Sequence, residues 1–368
     1  MKKNVWFICL VCFLICCDSQ RTEWQGTIEV VDGVSIVKNP REPMFGENAL
    51  VLDEELIIGE AEGREEYMFS GLKQFTVDDF GNIYALDVKE KHIKVFSDDG
   101  QYVMTISKGG QGPGELRVPA GVGITAKKDL IVIEMMAVSY FTLSGDFIHR
   151  KNTSAQGVAM IQFDKFNNPI GIRVIFAEEN PRNELVKFNQ EFEPVYVYRS
   201  SPLFWENNPE GTFNPFMPVL RWSVIRGEKI VCGHAGYGYK LELFDLDGKL
   251  LKKIEKPYDK IRITEEDIEL QMRRRGLESR DRIFAPGYKP PFKWIYSDEE
   301  GRFFVSTWDR IPDSESYRYD VFDADGRYLL SKPIEGEPLV FKNGKLYLIF
   351  IDDDGYQYIK RYKVTWNY

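Results

Sequence analysis

Short runs of alternating apolar and polar residues, separated by tight-turn sequences, dominate the chain from about residue 27 onward. The pattern is clearest from Phe75 to Ile106, where four such runs are separated by turn sequences rich in Asp and Gly. Alternation with a period of two predicts half-buried β-strands, and turns ending in Gly predict hairpins because Gly readily adopts a positive φ. This segment therefore predicts one up-and-down sheet of four strands.

The second half of this unit recurs along the chain as an apolar strand ending in Phe, a turn ending in Gly, and a second alternating strand. Copies begin at residues 93, 138, 241 and 319, and a degenerate copy without the Gly begins at residue 185. Successive starts are therefore 45, 47, 56 and 78 residues apart, and a sixth unit fits the tail around Asp352–Gly355. Six such four-stranded units predict an all-β fold, a six-bladed β-propeller.

Two stretches fall outside the regular spacing. Strand-like sequences at 27–37 and 49–59 precede the first unit, and we expect these N-terminal strands to complete the last blade and close the ring. Between the fourth and fifth units, Thr264 is followed by three acidic residues, and the helical pattern ends at Gly276. A capped acidic first turn and a terminal Gly predict a short helix. This helical insertion, at about 257–290, accounts for the longest step.

The first 16 residues have the pattern of a lipoprotein signal peptide. A basic start precedes an apolar run from Val5 to Cys16, which is too short to span a bilayer. We expect cleavage before Cys17 and lipidation of Cys17; modification of Cys16 and an ordinary secretory signal are the alternatives. A polar tether at 17–24 and a propeller domain at 25–368 would follow. The expected location is the bacterial cell envelope, with a lipid-anchored domain outside the cytoplasm, periplasmic or at the surface.

Composition narrows the classes of partner and cofactor. The net charge of −9 argues against nucleic acid, and the N-terminal lipid is the only membrane contact that we expect. Once the signal and the anchor are set aside, only Cys232 remains, which is too few for a disulfide framework. The three His residues have no metal-pair spacing, and the acidic turns lack the distal Glu of a calcium loop. We therefore expect no metal and no cofactor.

The block from residue 57 to 125 resembles bacterial six-bladed β-propeller proteins related to the NHL-repeat group. The motifs that carry the resemblance are DDFGNIYALD from Asp78, IKVF from Ile93 and GQGPGEL from Gly110. It covers most of residues 25 to 368 and implies a secreted lipoprotein of propeller architecture. Because these motifs consist of turn and strand residues, the resemblance implies no catalytic residues.

Blade geometry indicates where ligand-binding residues would concentrate. In an up-and-down blade the turns joining strands 1–2 and 3–4 lie on one face of the disc, which we call the turn face. The loops joining strands 2–3 and successive blades lie on the other, which we call the loop face. Longer, irregular loops on a rigid scaffold are where binding residues concentrate. The candidate ligand-binding residues on the loop face are His92, Arg117, His234, Tyr237, Trp308 and Arg310.

These observations favour a binding or scaffold protein, non-catalytic, that binds a protein or a glycan through its loop face. The alternative is a propeller-type hydrolase or lyase acting on a saccharide or a peptide. That alternative requires two or more acidic side chains that converge at the mouth of the propeller's central channel. Alternatively, it requires His234, Asp309 and Arg310 to lie within hydrogen-bond distance of one another there. A third hypothesis is a subunit of an envelope complex that has no ligand of its own.

Overall fold

The computed structural model describes residues 23–153, 157–177, 179–203, 209, 211–312, 314 and 316–368, without the side chain of residue 274. The predicted signal peptide, Cys17 and most of the tether lie outside the described residues. Within them the chain forms 26 β-strands and one α-helix. The N-terminal strands are β1 (Thr27–Val31), β2 (Val34–Lys38) and β3 (Leu50–Ile58).

The next twelve strands form three four-stranded antiparallel sheets, blades 1 to 3. Blade 1 contains β4 (Leu72–Val77), β5 (Ile83–Asp87), β6 (His92–Phe96) and β7 (Tyr102–Ile106). Blade 2 contains β8 (Pro119–Ile124), β9 (Leu130–Glu134), β10 (Ala137–Phe141) and β11 (Phe147–Asn152). Blade 3 contains β12 (Val158–Phe163), β13 (Pro169–Ile175), β14 (Arg182–Phe188) and β15 (Pro194–Pro202).

Blades 4 to 6 follow, with helix α1 (Glu265–Arg275) between blades 4 and 5. Blade 4 contains β16 (Leu220–Ile225), β17 (Lys229–His234), β18 (Lys240–Asp245) and β19 (Leu250–Glu255). Blade 5 contains β20 (Trp294–Ser297), β21 (Phe303–Arg310), β22 (Ser316–Phe322) and β23 (Tyr328–Glu335). Blade 6 contains β24 (Leu339–Lys342), β25 (Lys345–Ile351) and β26 (Gln357–Trp366), with β3 as its fourth strand. The predicted six-bladed β-propeller is confirmed.

The two N-terminal strand regions pair with different blades. Strand β3 pairs antiparallel with β26, so the expected closure of the ring by an N-terminal strand is confirmed. The prediction that 27–37 also joins the last blade is wrong, because β2 pairs in parallel with β19 on the outer edge of blade 4. Val37 explains this position, since its side chain is fully buried in the core between blades 4 and 5, beside Ile254.

The tight turns depend on one Asp and one Gly. Asp78 Oδ1 accepts hydrogen bonds from the backbone amides of Phe80 (2.9 Å) and Asn82 (2.8 Å), and Gly81 adopts a φ of 87°. The side chain thus supplies the acceptors that the reversed backbone needs. The same pair of bonds recurs at Asp164, Asp245, Asp298 and Asp323.

The first strands of the blades lie next to each other around the axis of the disc, and the cores lie between neighbouring blades. Helix α1 begins at Thr264, whose side chain completes a capping box with Asp267, and ends at Gly276 with a φ of 61°. Its Ile268 packs in a small core with Phe216 and Trp308, so the insertion lies on the loop face at blades 4 and 5. No helix in the described part of the chain is long and apolar enough to cross a membrane.

Candidate functional site

A depression of about 390 Å³ lies over the axis on the turn face, and we call it the axial bowl. Its position follows from its lining, which comes from the first turns of blades 1, 2, 3, 4 and 6. Apolar side chains at the ends of the inner strands form its floor, among them Val77, Ile124 and Phe163. Charged turn residues form its rim: Asp79, Lys128, Lys165, Arg226 and Lys342.

Asp79 links three neighbouring blades at the rim. Its carboxylate forms ion pairs with Lys128 of blade 2 (2.6 Å) and Lys342 of blade 6 (2.7 Å), and its carbonyl accepts from Asn343 Nδ2 (3.1 Å). The hydrogen bonds from the two lysines lower the pKa of Asp79 to about 2. The carboxylate therefore stays ionised at any physiological pH and holds both lysine side chains in place.

The remaining turns are joined in the same way. The amide of Ala126 donates to Asn167 Oδ1 (3.1 Å), the amide of Lys165 donates to the Gly227 carbonyl (2.9 Å), and Lys342 lies 3.6 Å from Glu299. Contacts between successive blades thus fix the relative positions of the turns that line the bowl. A ligand would meet a preformed surface, which reduces the entropy lost on binding.

Two exposed aromatic residues and one unpaired cation lie at this end of the disc. Phe80 and Phe166 occupy equivalent positions in the first turns of blades 1 and 3, and their exposed fractions are 82% and 62%. The turn bonds of Asp78 and Asp164 do not require Phe there, so neither ring is explained by folding. Arg226 is exposed on the rim and makes no ion pair with any described residue. Aromatic and Arg side chains are enriched among residues that dominate binding energy.

A second depression of about 310 Å³ lies on the loop face between blades 4 and 5. At its base Asp320 accepts from the hydroxyls of Tyr239 (2.8 Å) and Tyr328 (2.9 Å) and pairs with Lys256 (3.3 Å). Burial raises the pKa of both tyrosines, so their hydroxyls remain protonated and donate to Asp320. The carboxylate, the ammonium and both hydroxyls are mutually satisfied, which describes a structural network between two blades.

Two of the predicted site residues contact the helical insertion. Trp308 packs against the small core that Ile268 of α1 forms with Phe216, its ring centroid 5.2 Å from that of Phe216, and Arg310 Nη1 donates to Glu266 of α1 (2.9 Å). His234 and Tyr237 contact each other, with ring centroids 4.9 Å apart. Burial, with a contribution from Arg199, lowers the pKa of His234 to about 4.

The other two predicted residues lie on different blades. His92 begins β6 in blade 1, and Arg117 precedes β8 in blade 2 and is exposed. None of the six residues lines either depression, so the structure does not assemble them into one site. The triplet that an enzyme hypothesis needed is also not assembled within the described residues: His234 Nδ1 accepts from the Gly236 amide, Asp309 pairs with Arg318, and Arg310 pairs with Glu266.

The sequence does not single out the axial bowl, because its rim residues belong to tight turns whose Asp and Gly residues a hairpin explains without a ligand. Alignment of the first turns shows charged residues at their second or third positions in every blade, for example Asp79, Lys165 and Glu299. That charge is not needed for a hairpin, and it was the signal available in the sequence.

Comparison with known proteins supports the architecture. A sequence profile of the family DUF5128, described as a 6-bladed beta-propeller, matches residues 60–200, which span blades 1 to 3. The resemblance to bacterial six-bladed propellers is therefore confirmed at the level of the fold. The NHL-like character and the lipid anchor stay predictions. No curated protein matches the chain.

Two solved structures have a similar fold over most of this chain at low sequence identity. A protein from Bacteroides fragilis described as exported is 11% identical, with a TM-score of 0.54 over 88% of this chain and 96% of its own. A member of the duf4221 family from Bacteroides vulgatus is 13% identical, with a TM-score of 0.52 over 87% of this chain and 100% of its own. Identities this low show a common fold and say nothing about a shared ligand or reaction.

Proposed function

We propose that this chain is a cell-envelope lipoprotein whose propeller is a non-catalytic binding module, and that the axial bowl takes a negatively charged protein or glycan. The observation that carries the proposal is the bowl itself, a preformed depression over the axis with an exposed aromatic ring and an unpaired Arg at its rim. A concave site with a largely apolar floor and a few convergent polar groups is the usual form of a ligand site.

The charge of the bowl favours an anionic ligand. Four cations line it: Lys128, Lys165, Arg226 and Lys342. Asp79 pairs with Lys128 and Lys342, and Lys165 pairs with Glu228 (3.1 Å), whereas Arg226 has no ion pair among the described residues. The other two lining carboxylates, Asp78 and Asp164, are buried and accept hydrogen bonds from their own turns. On a chain with a net charge of −9, the exposed guanidinium of Arg226, which no described carboxylate pairs, is the group of the bowl that would attract a negatively charged partner.

The proposed location rests on two observations of different kinds. The N-terminal sequence has the pattern of a lipoprotein signal with Cys17 as its anchor. A protein of known structure with a similar fold, from Bacteroides fragilis, is described as exported. The loop face, chosen from the sequence as the binding surface, is partly covered by the insertion at Trp308 and Arg310. The proposal therefore keeps the predicted class of function and moves the contact surface to the turn face.

Binding of the full-length chain in detergent micelles tests this proposal. The ligands are an acidic glycan (alginate), an acidic peptide and a neutral glycan (dextran). We expect saturable binding of an acidic ligand, and Arg226→Glu or Phe80→Ala should weaken it at least about tenfold. The matched control is Lys253→Glu, which makes the same charge reversal at an exposed side chain of β19, the fourth strand of the same blade.

The possible outcomes distinguish binding on the turn face from binding on the loop face. An equal effect of Arg226→Glu and Lys253→Glu would show that only net charge matters and would contradict a site in the bowl. If substitution of His234 or Tyr237 abolishes binding while Arg226→Glu leaves it unchanged, the ligand binds on the loop face.

A further inference from the structure

Arg221 is a largely buried cation near the axis with an unusual environment. It is the second residue of β16, the innermost strand of blade 4, and it pairs with Gly233 near the loop-face end of that strand. Its guanidinium carbon lies 3.6 Å from the ring centroid of Trp294, which begins the neighbouring innermost strand β20. The guanidinium plane is therefore held against an aromatic face between two blades.

This guanidinium has no hydrogen-bond or ion-pair partner among the described residues. Its Nε is sealed from solvent and unpaired, so a ligand would meet the terminal Nη groups of the fork. Other buried cations of the disc are satisfied: Lys293 Nζ binds Glu337 (2.9 Å), and Arg150 pairs with Glu134 (2.9 Å). Leaving a buried charge without a partner is destabilising, and an unsatisfied buried polar group in a native structure requires an explanation. Burial lowers the pKa of Arg221 to about 10, as expected for a guanidinium whose lost hydration is not replaced by a paired carboxylate.

The surroundings also define the charge that is missing. The charge of Glu337 acts on Arg221 although no described hydrogen bond or ion pair joins them, and Glu337 Oε1 already accepts hydrogen bonds from Lys293 Nζ (2.9 Å) and Ser306 Oγ (2.7 Å). With Lys293 and Glu337 neutralising each other, the local excess is the single positive charge of Arg221. A monoanion balances it, whereas a phosphate dianion would leave a negative charge in a partly desolvated place. A planar carboxylate also matches the fork of a guanidinium.

We propose that Arg221 anchors a subsite for a single carboxylate group, at the loop-face end of the axis between blades 4 and 5. Trp294 holds the guanidinium plane, and the carboxylate of the ligand supplies the acceptors that the protein does not. The subsite lies at the opposite end of the axis from the axial bowl and does not depend on the function proposed for that bowl.

Thermal-shift and calorimetric titrations of the full-length chain in detergent micelles test this subsite. The probes are D-glucuronate, D-glucose as the uncharged match, and inorganic phosphate. We expect a saturable shift with glucuronate, none with glucose, and a smaller one with phosphate. A shift with phosphate that equals or exceeds the glucuronate shift would overturn the assignment to a carboxylate.

Arg221→Met removes the charge and keeps an unbranched side chain against Trp294. We expect glucuronate affinity to fall at least about tenfold. We also expect the melting temperature of the ligand-free variant to match or exceed that of the wild type, because an unpaired buried charge has been removed. A purely structural Arg221 would instead give a clearly lower melting temperature with unchanged glucuronate binding, which overturns the proposal.

Three further variants complete the test. Arg221→Lys keeps the charge and loses the fork, so glucuronate binding should weaken; wild-type affinity in this variant would contradict a bidentate carboxylate site. Lys253→Met removes an exposed positive charge from β19 of the same blade, outside both depressions, and should bind glucuronate as the wild type does. If Arg226→Met alone abolishes the shift, glucuronate binds in the axial bowl, and the subsite at Arg221 is wrong while the proposed function survives.

Discussion

At the residue scale, the glycine of each tight turn is required by its backbone and, at some turns, also by its neighbours. Gly326, between β22 and β23, has a φ of 84°, and a Cβ there would lie 2.5 Å from Ile254 Cγ1 of blade 4. Gly355, at the turn between β25 and β26, has a φ of 89° and nothing within 4 Å of the Cβ position. The two positions separate backbone strain from steric contact.

We expect Gly355→Ala to lower the free energy of unfolding by about 1 kcal/mol, the strain of a left-handed Ala. Gly326→Ala carries the same strain and also forces Ile254 aside, so it should cost about 1–3 kcal/mol more. Chemical denaturation of both variants measures the difference. Equal losses would show that the contact between blades 4 and 5 at this turn relaxes freely.

His234 should make stability depend on pH. Because its folded-state pKa is about 4 and an unfolded His titrates near about 6.5, the unfolded chain takes up the proton first on acidification. The stabilisation is complete above pH 6.5 and is lost as the pH falls toward 4. In His234→Gln the free energy of unfolding should decline less over this window, by about 1–3 kcal/mol. An unchanged pH profile in denaturation experiments would show that folding does not lower the pKa of His234.

Residue-scale prediction from the sequence worked where the chemistry is local. An Asp and a Gly at fixed spacing specify a turn within five residues, so the hairpins at Asp78 and Asp323 were predictable. Phe192 shows the limit: in the degenerate blade 3 it adopts a φ of 62° while its side chain is fully buried. Tertiary packing, which no local pattern reveals, compensates for the missing Gly.

At the element scale, closure of the ring by β3 joins the two ends of the described chain. The β3–β26 pairing extends from Leu50 opposite Trp366 to Ile58 opposite Ile359. The closing strand is the fourth, outer strand of blade 6 and pairs with the edge that β26 would otherwise expose. The turn at Gly355 and strand β26 are therefore predicted to be essential for cooperative folding.

A truncation tests this closure. Removal of Tyr356–Tyr368 deletes β26 and leaves β3 without its partner, so we expect loss of the cooperative unfolding transition by circular dichroism and calorimetry. The control ends the chain at Trp366 and keeps β26. It loses the ring contacts of Tyr368 with Phe45 and Trp366, each worth about 0.5–1.5 kcal/mol, and the hydrogen bond from the Asn367 amide to the Ala49 carbonyl (2.8 Å). A cooperative transition in the longer truncation would show that the disc is stable without closure.

The sequence predicts that β1 and β2 form a hairpin, but it does not predict which blade the hairpin joins. Asp32 and Gly33 mark the turn, and both have positive φ values. Its parallel pairing with β19 depends on Val37 entering the core between blades 4 and 5, where Ile254 contributes. The partner strand is more than two hundred residues away in sequence, and no pattern within the hairpin identifies it.

At the scale of the whole molecule, the two ends of the propeller axis, at the turn face and at the loop face, have different chemistry. The turn face has the axial bowl, with its ring of joined turns and exposed Phe80. The loop face has the insertion packed on Trp308 and, closer to the axis, the unpaired Arg221. The architecture could be predicted because the repeat is periodic. The sites could not, because each combines single residues from blades that are distant in sequence.

The most direct test of the proposed binding surface is hydrogen exchange of the full-length chain, measured with and without a saturating acidic ligand. We predict slower exchange in the first turns, at 78–82, 125–129 and 226–229, with the loop face at 233–239 unchanged. Protection confined to 233–239 and the neighbouring loops, with the first turns unchanged at saturation, would contradict a binding site in the axial bowl.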